Sequence, residues 1–244
     1  MLREQLRALA VELATEAGEI LLSMGTGGAT ASKSSPTDLV TEADRAAEDH
    51  IFNKLRKLRP DDSIVAEEGS DSRGTSGIEW VVDPLDGTVN YVYGFPHWCV
   101  SIGVEGAERL GVIHDPNRRE TFADPQVLRP SRKTDLADSL IATGFAYSAE
   151  TRARQAQLAA SLLPKVRDIR RAGSCALDLA WVACGRLDGF YEEGVKRWDI
   201  SAGIALVNEA GGVARTHGNL TVAAGTPELL ERLEQLVLPQ PYRS

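Results

Sequence analysis

Hydrophobic residues recur at helical spacing near the N-terminus. Leu6, Leu13 and Ile20 follow this spacing, which predicts an amphipathic helix over residues 2–24 that stops in a glycine-rich break. The small and polar residues of 29–37 predict a loop. A second helix is predicted over residues 41–58, because Thr41 and Asp44 have the spacing of a capping box at its start.

The remaining chain alternates short apolar runs with amphipathic segments. The predicted strands are 63–66, 78–82, 99–104, 109–114, 121–123, 139–143, 166–169, 187–192 and 220–223, and the predicted helices are 151–163, 174–185, 199–210 and 227–237. A turn is expected at Glu105-Gly106, and a short loop at 214–219. Mixed strands and helices of this kind are typical of an α+β or layered α/β design.

Charge and cysteine content narrow the function classes. The chain of 244 residues has a formal net charge of −8, which argues against a general nucleic-acid surface. Its three cysteines, Cys99, Cys175 and Cys184, form no CxxC pair and lie in apolar runs, so buried free thiols in a reducing cytosol are expected. No apolar run approaches the roughly 20 residues of a membrane span. A cytoplasmic protein without nucleic-acid or membrane partners is therefore predicted.

The segment from Trp80 to Asn90 carries the strongest chemical signal. A hydrophobic strand leads into Asp83 and Asp86, and Gly87-Thr88 follow at the start of a possible helix. Carboxylate oxygens suit Mg²⁺, and a helix N-terminus attracts phosphate. This segment predicts metal-assisted phosphate chemistry.

Further acidic residues lie where predicted elements begin or end. Glu67 and Glu68 end a strand, Asp199 opens a helix, and Asp44 lies in a first helical turn with Asp38 before it. Each alone is explained as a helix cap or a solvated side chain. Several carboxylates that converge repel each other unless cations lie between them, and with so few histidines the set favours Mg²⁺ over zinc.

With these residues in place, the chain resembles the inositol monophosphatase family of Mg²⁺-dependent, typically lithium-sensitive phosphatases. The matching motifs occur in the family's order along nearly the whole chain. They are residues 33–44, 66–69, 80–91, 170–174, 188–192, 198–203 and 209–212. The resemblance implies a layered α/β/α/β/α sandwich of the inositol monophosphatase and fructose-1,6-bisphosphatase type. It also implies one domain over residues 1–244, with a metal-binding half of about 1–145 and a second half of about 146–244.

The resemblance also implies roles for individual residues. Two to three Mg²⁺ ions are expected. The first ion would be held by Glu67, Asp83 and the Leu85 carbonyl, and the second by Asp83, Asp86 and Asp199. Glu67 would also contact a third, more weakly bound ion. Gly87 and Thr88 would donate N–H groups to the phosphate. Asp44 with Thr88 would orient the attacking water, and Glu67 also counts among the catalytic positions. Substrate-binding positions further include Ser174, Cys175, Glu192 and Asp199, and Lys33 lies on a mobile loop over the site.

The expected activity is Mg²⁺-dependent hydrolysis of a small phosphate monoester, with inositol monophosphate the favoured substrate and no covalent intermediate. Histidinol phosphate, fructose 1,6-bisphosphate and a 3′-phosphonucleotide are alternative substrates. A non-enzymatic protein that binds RNA or other proteins is a more distant alternative. A homodimer is the family-based expectation, although the chain is shorter than the family pattern after Ala123 and after Gly212.

Overall fold

The computed structural model describes residues 1–26, 31–32 and 39–238. Its helices are α1 (Leu2–Met24), α2 (Glu42–Leu58), α3 (Thr88–Val92), α4 (Ala149–Leu162), α5 (Cys175–Ala183), α6 (Arg197–Glu209) and α7 (Pro227–Val237). Its strands are β1 (Ala31–Ser32), β2 (Leu39–Val40), β3 (Ser63–Ala66), β4 (Ile78–Asp86), β5 (Cys99–Gly106), β6 (Leu110–Asp115), β7 (Glu120–Phe122), β8 (Leu140–Thr143), β9 (Asp168–Arg170), β10 (Gly189–Glu193), β11 (Val213–His217) and β12 (Leu220–Ala224).

Two five-stranded mixed sheets organise the chain. Sheet I has the order β3-β4-β5-β6-β7, with β3 parallel to β4 and the other pairs antiparallel. Sheet II has the order β11-β12-β10-β8-β9, with β8 parallel to both β10 and β9. Strands β1 and β2 pair separately as a short antiparallel ribbon.

Three buried clusters show how the layers stack. Helices α1 and α2 cover one face of sheet I, where Ile51 and Trp80 are buried in the same cluster. Helices α5 and α6 fill the space between the sheets, with Leu206 fully buried there. Helix α7 covers the outer face of sheet II, where Val222 packs with Leu230. The order is helices, sheet, helices, sheet, helices, as the resemblance implied.

Most predicted elements are confirmed within a few residues. Helix α1 has the predicted bounds, and α2 begins with the predicted capping box of Thr41 and Asp44. No helix in the described residues is both long and apolar enough to cross a membrane.

Three local predictions were wrong. Residues 214–217, the first part of the predicted 214–219 loop, belong to strand β11, because this strand pairs along its whole length with β12. The predicted turn at Glu105-Gly106 is still strand, and the chain turns after it. Residues 31–32, inside the predicted 29–37 loop, pair with β2.

Helix α6 lies unusually close to sheet I. A Cβ atom on Gly111 of β6 would overlap the carbonyl oxygen of Ala202 in α6, so only glycine fits there. This close approach fixes the start of α6, and therefore Asp199, relative to the strands of sheet I.

Candidate active site

A cleft of about 730 Å³ collects most of the predicted site residues. The predicted residues among its lining are Glu67, Asp83, Leu85, Asp86, Gly87, Thr88, Cys175, Glu192 and Asp199. Asp44 and Ser174 are buried behind this lining, at 0% and 1% exposure, and contact it by hydrogen bonds. Lys33 and Asp38 lie outside the described residues. Segments far apart in the sequence therefore meet in one place.

The end of β4 shapes the centre of the cleft. The pairing with β5 shifts between Asp83 and Asp86, so the strand is irregular where it delivers its carboxylates. Asp83 Oδ1 accepts a hydrogen bond from the Leu85 amide at 3.0 Å, which fixes the turn. Gly87 then adopts a left-handed conformation, with φ of 96°, and α3 begins at Thr88. A side chain at Gly87 would be strained and would press on the His97 carbonyl.

Thr88 and Asp44 form a buried pair. Thr88 Oγ1 lies 3.1 Å from Asp44 Oδ1 and 3.0 Å from the Leu85 carbonyl oxygen. The other Asp44 oxygen, Oδ2, accepts the Thr41 amide at 2.8 Å and the Thr41 hydroxyl at 2.5 Å. The capping box thus holds one carboxylate oxygen, and the second faces a hydroxyl on the cleft wall.

Asp86 is fixed by residues at the start of α5. Its Oδ2 accepts the Ser174 hydroxyl at 2.5 Å and the Ala176 amide at 2.7 Å, both at the start of α5. Ser174 is also the N-cap of α5, because its oxygen accepts the Leu177 amide. In this structure the Ser174 hydroxyl orients a carboxylate instead of lining the cleft.

Asp199 lies in the first turn of α6. Its Oδ2 accepts the Lys196 amide at 2.6 Å, which satisfies a free N–H group at the helix start. Asp199 is therefore the third residue of the helix and not its N-cap, which is Lys196, and it caps the helix start while also lying in the cleft lining.

Burial, reinforced by the repulsion between neighbouring carboxylates, dominates the electrostatics of the cleft. Burial, followed by the charges of Glu67, Asp86 and Asp199, raises the pKa of Asp83 well above its usual range. Burial raises the pKa of Asp86 to about 6, although the Ser174 and Ala176 hydrogen bonds oppose the shift. The pKa of Asp199 rises for the same reason, first from burial and then from Asp86. A group of buried carboxylates with raised pKa values marks a place where a cation would be stabilised.

The donor chemistry fits Mg²⁺. Carboxylates and the Leu85 carbonyl are hard oxygen donors, and Asp86 and Asp199 are each held by protein N–H or O–H groups that orient them. Within residues 1–26, 31–32 and 39–238, no three His, Cys, Asp or Glu side chains already enclose a common point. The first predicted ligand set consists of only two carboxylates, Glu67 and Asp83, and the Leu85 carbonyl. The second set needs three carboxylates, Asp83, Asp86 and Asp199, so their side chains would have to rotate towards one another to bind the same ion.

Three further polar residues belong to the site, and two of them, Glu48 and Arg171, were not given roles from the sequence. Glu48 of α2, 2% exposed, accepts the amides of Glu68 and Ser70. Asp178 of α5 lines the cleft, is 1% exposed, and has an Oδ1 atom without a hydrogen bond. Arg171 lines the same cleft, and its charge lowers the pKa of Asp178 and Glu192 against the larger effect of burial. Glu48 and Asp178 each lie on a helical face that is otherwise made of apolar residues, and this pattern is the sequence signal that indicates their burial.

The thiols of the site are poor nucleophiles. Burial raises the pKa of Cys99 and of Cys175 well above the usual range, so both are protonated near neutral pH. All three cysteines are free, as predicted.

Comparisons with known proteins agree with this geometry. The family model described as "Inositol monophosphatase family" matches residues 2–237. The "Inositol-1-monophosphatase" of Mycobacterium leprae is 43% identical over 239 residues, covering 85% of this chain and 82% of that protein. The "Nus factor SuhB" of Pasteurella multocida is 41% identical over 228 residues, covering 84% of each. The crystal structure of the extragenic suppressor protein suhB from Bartonella henselae superimposes with a TM-score of 0.86 at 34% identity, covering 96% of this chain and 98% of that one.

Proposed function

Because the chain belongs to the inositol monophosphatase family, we propose that it is a Mg²⁺-dependent phosphatase that hydrolyses a small phosphate monoester, with inositol monophosphate as the favoured substrate. The observation that carries the proposal is that Glu67, Asp83, Asp86 and Asp199 line the same cleft as Gly87 and Thr88, at the start of α3. Glu67 and Asp83 with the Leu85 carbonyl, and Asp83 with Asp86 and Asp199, are the proposed Mg²⁺ ligands.

The protein's own groups divide the chemistry between them. Mg²⁺ in the cleft would supply Lewis-acid stabilisation of the charge on the phosphate oxygens. The Gly87 and Thr88 amides, unpaired at a helix start, would donate to the phosphate. Thr88 Oγ1 would accept a proton from the attacking water while donating to Asp44 Oδ1, 3.1 Å away. Because Asp44 is fully buried and held by Thr41, this pair is oriented before substrate binds.

Glu192 supports a polyol as the leaving alcohol. It lies in the cleft lining, and its carboxylate packs so closely on Gly144 that a Cβ atom there would overlap it. A carboxylate accepts hydrogen bonds from hydroxyl groups. It repels a second phosphate on the substrate, which weakens fructose 1,6-bisphosphate as an alternative.

Phosphate release from a substrate panel tests the proposal. The panel contains inositol 1-phosphate, histidinol phosphate, fructose 1,6-bisphosphate and a 3′-phosphonucleotide, each with and without Mg²⁺. We expect Mg²⁺-dependent release that is highest for inositol 1-phosphate and lost in Asp83→Asn. Asp138→Asn, whose side chain is 63% exposed and outside the cleft, is the matched control and should retain activity. A wild-type protein inert on the whole panel would refute the phosphatase proposal.

A second candidate function follows from the relative named "Nus factor SuhB". On the basis of that name, the second candidate function of this chain is to contact another macromolecule. Calorimetric titration with Mg²⁺ separates the two candidates, since a protein that had kept only a binding role would not need the cleft to bind the ion. Saturable Mg²⁺ binding that is abolished in Asp83→Asn supports the phosphatase.

We also propose that the protein forms a symmetric homodimer. Phe95 is 53% exposed, and its ring lies 6.4 Å from that of the buried His97, which in turn contacts the half-buried Trp181 ring; Tyr93, two residues before Phe95, is 80% exposed. Exposed aromatic residues next to a packed ring cluster are typical of protein interfaces. Sedimentation equilibrium should give twice the mass of the chain, and Tyr93→Ser with Phe95→Ser should give the monomer mass. A monomeric wild-type protein would refute the homodimer.

A further inference from the structure

The buried face of α2 carries two carboxylates one helical turn apart. Asp44 is 0% and Glu48 2% exposed, at i and i+4, and both lie among the apolar side chains that face sheet I. Like charges at this spacing destabilise a helix, and a buried carboxylate is costly unless it is hydrogen-bonded. Each therefore needs defined partners in the folded protein.

Glu48 finds its partners in the loop that follows β3. Its Oε2 accepts the Glu68 amide at 2.7 Å, and its Oε1 accepts the Ser70 amide at 2.9 Å. Both amides lie within three residues of Glu67, which follows the last residue of β3 and lines the cleft. The Glu67 amide itself continues the pairing with β4 by donating to the Val82 carbonyl at 3.2 Å. Both sides of Glu67 are thus anchored.

Bidentate acceptance defines what residue type can act at position 48. Two amide donors converge on the two oxygens of one side chain, and only a carboxylate offers an acceptor to each. Glutamine offers one oxygen and one NH₂ group, so one amide would face a donor. Aspartate keeps the charge but is shorter by one methylene, so it reaches the loop less well.

We propose that Glu48 is a positioning residue that holds Glu67 in place for Mg²⁺ binding. Glu48 acts through the backbone of the 67–70 loop and touches neither substrate nor ion, so it is not a catalytic residue. The same helix holds Thr88 through Asp44 and packs against β4, so α2 braces two walls of the cleft at once. This inference rests on the proposed function, in which Glu67 is an ion ligand.

The test is a calorimetric titration of Glu48→Gln with Mg²⁺, combined with phosphate release at increasing Mg²⁺. We expect Mg²⁺ affinity to fall by about 10- to 100-fold, as for other groups that orient a metal ligand. The kcat at saturating Mg²⁺ should stay close to that of the wild type, because the water-activating pair is intact. Asp62→Asn is the matched control: Asp62 is 1% exposed and accepts the Trp80 indole N–H at 2.9 Å, away from the cleft. It should lower stability without changing Mg²⁺ affinity.

Glu48→Asp covers the case in which Glu48→Gln does not fold, and we expect the same direction of change. Normal Mg²⁺ affinity in a folded variant at position 48, checked by circular dichroism, would overturn this inference alone. Failure of the wild type to bind Mg²⁺ would overturn the proposed function, and this inference with it.

Discussion

Replacing Asp86 by Asn should stabilise the metal-free protein at alkaline pH. Burial raises the pKa of Asp86 from 3.8 to about 6, so ionising this group costs more in the folded than in the unfolded chain. Between pH 3.8 and about 6, Asp86 keeps its proton in the folded protein but has lost it in the unfolded chain. The stability that the protonated carboxyl confers is therefore complete below pH 3.8 and is lost as the pH rises through 6. Asn is nearly isosteric, carries no charge, and still offers an oxygen to Ser174 and Ala176.

The size of the effect follows from the pKa shift. A shift of about two units corresponds to about 3 kcal/mol at pH 8, where the group is ionised in both states. At pH 4.5 the difference shrinks to about 1 kcal/mol. For a chain of this length each kcal/mol moves the melting temperature by about 2–4 °C, so Asp86→Asn should melt about 6–12 °C above the wild type at pH 8.

Thermal denaturation followed by circular dichroism in EDTA, from pH 4.5 to 8, measures this difference. His97, whose pKa burial lowers to about 4, titrates with the opposite sign, but it is present in both proteins and cancels. Asp138→Asn, at an exposed position, should show no gain that depends on pH. Saturating Mg²⁺ should reverse the order, because the wild type alone keeps all ligands and gains binding free energy. A variant no more stable than the wild type at pH 8 would refute the buried-charge explanation.

Three further changes give distinct expected results. Thr88→Val should lower kcat by about 10²- to 10⁴-fold while calorimetric Mg²⁺ binding is kept, because only the proton-accepting hydroxyl is lost; near-normal kcat contradicts this role. Ser174→Ala should cost about 1 kcal/mol in urea denaturation through loss of the α5 cap. It should also shift to higher pH the range over which acidification weakens Mg²⁺ binding, since the Ser174 hydroxyl lowers the pKa of Asp86. An unchanged pH dependence of Mg²⁺ affinity would contradict this role of the hydroxyl. Gly111→Ala should cost about 1–3 kcal/mol in the same denaturation assay, because its methyl group meets the Ala202 carbonyl, and an unchanged midpoint would contradict the close packing.

The sequence was sufficient wherever local signals and tertiary structure agree. The Thr41 and Asp44 capping box predicted the start of α2, and both its hydrogen bonds are present. The acidic residues that open or end elements were predicted to converge, and the cleft lining brings Glu67, Asp83 and Asp199 together. Element ends are readable because capping and strand termination are short-range effects.

Features that depend on distant partners were not predictable in this way. Residues 214–217 were assigned to a loop because β11 is at a sheet edge and is half-exposed or exposed along its length, so hydrophobic alternation is weak. The backbone hydrogen bonds between β11 and β12, and not a hydrophobic pattern, make this segment a strand. Glu48 was overlooked because its amide partners lie 20 and 22 residues away, and the apolar face of α2 on which it lies indicates burial but not those partners.

The hydrogen bond from Ser174 to Asp86 joins residues 88 positions apart, one at the end of a sheet I strand and the other at the start of α5. A nascent chain that had formed sheet I alone would already carry Glu67, Asp83 and Asp86, but with Asp86 unsupported and Asp199 not yet in place. The complete set of proposed Mg²⁺ ligands is therefore assembled only when the last third of the polypeptide has folded. We expect termination products that lack α5 and α6 to show none of the proposed phosphatase activity.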